Sequence, residues 1–228
     1  MSTYQQLKGL KVKYLSSDTS GDRIKEGEVF YNSTTGKLSG HIGITAFHAS
    51  ANLVTDRSQL AGSTAGTQSA SFVVGGETPP GGLIANCEEY NGTGWSTGGD
   101  STDARRKFAG AGTLTAGLIC AGFTPTSAAP AEHVNNVEEY DGSSWTSVTG
   151  IPAATEDNSA SGLQTAGLTY GGSSPSATAN SFLYDGSTWA STPSMANARQ
   201  NGAGTGTGFS SALATGGGPP SSGRSITE

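Results

Sequence analysis

The chain has 228 residues, 35 of them glycine, and only 13% are charged. Its net charge of −6 disfavours a nucleic-acid or anionic-membrane partner, and no run of about 18 apolar residues exists to span a bilayer. Cys87 and Cys120 are too few for a disulfide framework and belong to no Cys/His cluster, so neither a metal site nor a cofactor is expected; each reads as a small buried hydrophobe.

Residues 1–50 carry six bases and four acids, and the remainder six bases and fourteen acids, so a mildly basic start precedes an acidic body. The opening "MSTYQQLKGLKVKYLSS" lacks the 7–15-residue apolar stretch of a secretory signal. "KVKYL" alternates as a strand does, and "GEVFYNSTTGKLSGH" predicts strand, turn, strand. Residues 1–48 are therefore expected to form a separate small β element.

From residue 57 the chain repeats. "SASFVVGG" ends at Gly76, "TAGLICAG" at Gly122, "TAGLTYGG" at Gly172 and "SSALATGG" at Gly217, in steps of 46, 50 and 45 residues. Trp95, Trp145 and Trp189 follow at steps of 50 and 44, so two independent markers share one period. Each unit predicts a small-residue segment, an apolar strand, a variable polar loop, a second strand ending in Tyr, an Asn-Gly or Asp-Gly turn, and Trp opening a further strand. No helical periodicity competes.

A period of about 45–50 residues with several short strands per unit is that of a propeller blade. Gly75-Gly76 with Tyr90 and Trp95, Ala121-Gly122 with Tyr140 and Trp145, and Gly171-Gly172 with Tyr184 and Trp189 resemble the kelch motif. That resemblance implies an all-β fold over residues 57–228, with the glycines admitting close strands and the rings packed between blades. Tyr and Trp are suited to such a wedge because they bury a large area and keep a polar handle. Ala121 departs from the motif. About three and a half kelch-like blades are expected, with the ring incomplete: the fourth unit, from Gly217, stops at Glu228 before its Tyr and Trp. The missing strands are expected from a longer polypeptide, or else from another chain.

"EGEVFYNSTTGKL" resembles the "GD-W-YN-TTGKL" hairpins of bacteriophage tail fibres and other virion proteins. The resemblance implies an N-terminal anchor on other virion proteins, in fibre-like cases as a homotrimer, and a chain assembled in the bacterial cytoplasm that reaches the outside by lysis. Five of the six lysines lie within the first 37 residues, which suits docking on an acidic virion surface and equally an ordinary solvated hairpin.

No residue set reads as catalytic. Glu88-Glu89 and Glu138-Glu139 are adjacent on strands, so each pair points to opposite faces, and Phe182-Leu183 replaces them in the third unit. His41, His48 and His133 show no ligand or triad spacing. "GAGTGTG" from Gly202 mimics a phosphate loop but aligns with the repeat. Arg57, Arg106 and Arg199 precede the first strand of their units and read as structural pins. The loops after the glycine pairs, residues 77–85, 123–134 and 173–179, vary most, and variable loops on a rigid scaffold are where recognition sits. Thr78, Phe123, Thr124, His133 and Ser174 are the candidate contact residues. The expectation is a fibre-like or decorating phage protein that presents these loops to a host-surface glycan or protein. A polysaccharide-cleaving enzyme on the same scaffold and a purely architectural subunit are the alternatives.

Overall fold

The computed structural model describes residues 13–15, 29–40, 50–124, 132–219 and 227. Lys8, Lys11, Lys25, His41, His48 and loop positions 125–131 fall outside them. The chain divides into two compact units, Met1–Ala49 and Ser50–Glu228. The described residues are all-β, with one 3-10 turn, Phe209–Ser211, and no α-helix.

In the first unit, β1 (Lys13–Leu15) runs parallel to β2 (Val29–Asn32), which pairs antiparallel with β3 (Lys37–Gly40). Asn32 makes the turn: its Oδ1 accepts from the Thr34 and Thr35 amides at 3.0 and 3.1 Å. Gly36 closes it at φ +68°, donating its amide to the Asn32 carbonyl. The "YNSTTG" stretch is thus a side-chain-capped hairpin turn.

The second unit holds three four-stranded antiparallel sheets in chain order. The first comprises β4 (Ala61–Gly62), β5 (Ser71–Val74), β8 (Cys87–Tyr90) and β9 (Trp95–Thr97); a short hairpin, β6 (Glu77–Thr78) and β7 (Gly82–Leu83), leaves from between β5 and β8. The second comprises β10 (Ala109–Thr113), β11 (Ala116–Cys120), β14 (Val137–Tyr140) and β15 (Trp145–Val148), with β12 (Phe123–Thr124) and β13 (Glu132–His133) as its side hairpin. The third comprises β16 (Ser159–Leu163), β17 (Ala166–Tyr170), β18 (Ser181–Tyr184) and β19 (Trp189–Ser191). A fourth begins with β20 (Ala203–Thr205) and β21 (Leu213–Thr215), and Thr227 bridges to Thr215 on the outer edge of β21. Ala203–Thr205 within "GAGTGTG" is accordingly strand, and among the described residues no α-helix follows it as a dinucleotide site would need.

The first strands of successive sheets pack against one another, β4 on β10, β10 on β16 and β16 on β20. Apart from the exposed Leu163 at the end of β16, their residues are Gly, Ala, Ser and Thr because bulk is excluded there: a Cβ on Gly110 would stand 2.4 Å from the Gly62 carbonyl oxygen. The core therefore lies between sheets. One buried cluster joins Phe72, Val74 and Cys87 of the first sheet to Ile119, Tyr140 and Trp145 of the second. The next joins Leu118, Cys120 and Val137 of the second to Ala160 and Tyr184 of the third. Both cysteines are free and buried, and burial pushes the Cys87 thiol up to about 12.

Tyr and Trp of each unit are cross-strand partners on adjacent strands. Tyr140 and Trp145 stack at 4.7 Å, and Phe72 of the preceding sheet meets Trp145 edge-on at 5.4 Å. Gly117 makes room for Phe72, whose ring would lie 2.7 Å from a Cβ there. Tyr184 and Trp189 repeat the stack at 4.7 Å, and Gly167 receives Leu118 as Gly117 receives Phe72. Tyr90 and Trp95, on the first sheet, are only half-buried.

Candidate functional site

The adjacent carboxylates face apart, as the two-residue period of a strand requires. Glu88 turns to its own unit: Oε1 accepts from Arg57 Nη2 at 2.5 Å and from the Thr55 amide, and Oε2 from the Val54 amide. Glu138 repeats this with Arg105 at 2.6 Å and the Thr102 amide. Glu89 and Glu139 turn to the next unit, accepting the hydroxyls of Tyr140 and Tyr184. Burial, then the hydrogen bond to the neighbouring carboxylate, raises both tyrosines above their ordinary value. Each of these carboxylates is held by a structural partner.

Arg105, not Arg106, is the counterpart of Arg57. Arg57 Nη1 donates to the Gly75 and Asn86 carbonyls, and Arg105 Nη1 to those of Ala121 and Asn136. Arg199 Nη1 donates to Gly216, the carbonyl of the same repeat position. In the third unit Thr155 stands at the arginine position and Phe182 at the glutamate position, so the charged pair is exchanged as a pair. Arg106 serves elsewhere, pairing with Glu77 and lying 5.1 Å over the Phe123 ring.

The sites proposed from the loops gather at the end of the sheets where the glycine pairs lie. Thr78 sits on β6, its Oγ1 donating to the Gly82 carbonyl at 3.1 Å. Phe123 and Thr124 pair with His133 and Glu132, and the Phe123 and His133 rings meet edge-on at 6.1 Å. Glu77, Arg106, Phe123 and His133 thus form one chain of contacts spanning two units. Ser174 lies in the third unit's loop, its amide donating to the Ser176 carbonyl. Gly76, Gly122, Gly172 and Gly217 lie at the same end, all at positive φ, and the first three donate their amides to Arg105, Thr155 and Arg199 of the following unit.

Sequence reasoning missed the most regular feature of this end. Gln59, Lys107, Asp157 and Asn201 occupy one position in the four units, each at φ between +54° and +57°. Their backbones form a staircase: Lys107 N donates to Gln59 O, Asp157 N to Lys107 O, and Asn201 N to Asp157 O, at 2.8–2.9 Å. All four line a cavity of about 610 Å³ with Gln200, Gly217, Gly218 and Pro219. Lys107 Nζ lies 3.2 Å from Glu156 Oε1 and 3.4 Å from Asp157 Oδ2. Burial raises Asp157 above the usual carboxylate value, opposed by Lys107. The signal was present in "RSQLAG", "RRKFAG", "TEDNSA" and "RQNGAG": the third residue is polar in every unit.

Among the described residues no three His, Cys, Asp or Glu side chains group to hold a metal ion. A scan against protein-family models matches no family, and a search of curated proteins finds no match.

Proposed function

We propose that this chain is a structural protein of a bacteriophage virion, fibre-like or decorating, whose sheets are kelch-type propeller blades and whose glycine-pair end meets a host surface. The arrangement of that end carries the reading. A repeated scaffold of four-stranded sheets, glycine pairs and Tyr–Trp ring pairs presents connections that differ from unit to unit: "ETPPGG", the loop from Phe123 to His133, and "SSPSAT". Function that varies while its support is held constant is recognition. The virion assignment rests on the likeness of residues 26–38 to phage hairpins, and the N-terminal unit is read as the anchor to other virion proteins, in a trimer where the assembly is fibre-like. Contacts of this polar kind are weak singly and gain strength from copy number.

Two measurements on the phage that encodes the chain test this. Antibody to the chain should label intact particles, and the purified full chain should compete with particle adsorption to host cells. Labelling without competition leaves an architectural subunit, and particles that carry no chain sink the proposal.

A further inference from the structure

We infer that the cavity ringed by Gln59, Lys107, Asp157 and Asn201 is a binding site for a neutral pyranose sugar. The inference names a ligand for the same end of the molecule and rests on the recognition reading only for where that sugar comes from.

Four observations lead there. The first is backbone strain without glycine. A left-handed conformation costs free energy for any residue with a Cβ, and glycine removes that cost. The chain has 35 glycines and uses them at three of the four left-handed positions that open the glycine pairs, Gly75, Gly171 and Gly216. It uses none at positions 59, 107, 157 and 201, where the backbone is equally left-handed. Asp157 and Asn201 are of the types that tolerate this conformation best after glycine, but Gln59 and Lys107 are not, so a role for those side chains accounts for their presence.

The second is convergence. The four residues come from four units spread over about 140 positions of sequence, and all line one cavity. Its volume, about 610 Å³, falls within the range of small-molecule clefts, roughly 300–1,000 Å³.

The third is the chemistry of the wall. Three side-chain amides, Gln59, Gln200 and Asn201, each offer donors and an acceptor, and Asp157 adds acceptors. A ring of sugar hydroxyls, each both donor and acceptor, matches such a wall. The Lys107 ammonium is already held by Asp157 and Glu156, so an anionic ligand would meet two carboxylates for one base.

The fourth is unspent bonding capacity. Gln200 Oε1, on a residue of the cavity wall, is buried with no hydrogen-bond partner among the described residues. A buried polar atom left unpaired is costly, and a hydroxyl-rich guest offers it a donor.

The test exploits the strain. Asn201→Gly removes one wall side chain while relieving the left-handed backbone, so a folded variant is expected. Binding of glucose, galactose and N-acetylglucosamine to the full chain would be followed by ligand-observed NMR, with N-acetylneuraminic acid as the anionic probe. The expected result is binding of at least one neutral sugar with Kd of about 1 mM, weakened tenfold or more in Asn201→Gly and in Gln59→Gly, at equal or higher melting temperature. Three results overturn the inference: no neutral sugar binds, the variants bind as the parent does, or the anionic sugar binds more tightly. The adsorption assay separates the two readings. Competition by parent and Asn201→Gly alike, with no neutral sugar bound by NMR, keeps host attachment and ends the sugar site; sugar binding without competition does the reverse.

Discussion

Ala121 holds φ +67° where the neighbouring units place Gly75 and Gly171. A methyl is excluded at Gly75 because a Cβ there would lie 2.6 Å from the Phe108 ring; the position equivalent to Phe108 in the next unit is Asn158, which is shorter. Gly75→Ala should therefore destabilise by about 1–3 kcal/mol, from strain plus overpacking. Ala121→Gly should move stability by less than about 1 kcal/mol, since relief of strain is offset by loss of a buried methyl and by chain entropy. Urea unfolding of both variants checks this. The buried arginine–glutamate pairs give a second prediction at this scale. Arg105→Met leaves Glu138 buried without its partner and should cost about 3–5 kcal/mol. Arg105→Thr combined with Glu138→Phe, the residues of the third unit, should recover most of that loss. A double-mutant cycle in urea measures it, and an additive result would contradict the pairing. The divergence of adjacent glutamates was legible from strand parity. The choice of Arg105 over Arg106 was not, because neighbouring arginines look alike until the backbone shows which guanidinium reaches the Ala121 and Asn136 carbonyls.

Each element that joins Tyr to Trp is a four-residue turn, legible from its Asn-Gly or Asp-Gly pair, although what each residue of the pair does shows only in the structure. Positive φ falls on Gly92, Gly142 and Gly186, not on the Asn or Asp before them. Asn91, Asp141 and Asp185 act instead as acceptors: Asp141 Oδ1 takes the Ser143 and Ser144 amides, both at 2.8 Å, and these bonds hold it at about 2. Between sheets, Phe72 is the element on which the second ring pair rests, and Phe72→Ala should cost about 3–5 kcal/mol by cavity formation. The tyrosines set an alkaline limit. Folded Tyr140 and Tyr184 lie above their ordinary value of 10.0, so the folded state holds these protons longer than the unfolded chain does. Their contribution to stability is complete below about pH 10 and lost as pH rises through the folded values. Tyrosinate absorbance of these two should appear only together with loss of near-UV circular dichroism. Ionisation of both in a chain that keeps its tertiary signal would contradict the buried hydroxyl–carboxylate contact.

Across the molecule, the four units connect in series through small-residue first strands, ring pairs and a backbone staircase. The period, strand count and placement of the glycine pairs were readable because each is local to one unit. The cavity was not, since its wall is assembled from one residue per unit and exists only once the units are stacked. That stacking is also what distinguishes the three indoles: Trp145 is wedged against Phe72 and only 6% exposed, whereas Trp95 and Trp189 are partly open to solvent. Acrylamide quenching of three variants, each retaining one tryptophan and carrying Phe at the other two, reads the difference directly. Consecutive sheets wedged by aromatic rings predict a blue-shifted, poorly quenched Trp145 and more accessible Trp95 and Trp189. Equal, solvent-like quenching of all three in folded protein would contradict the account.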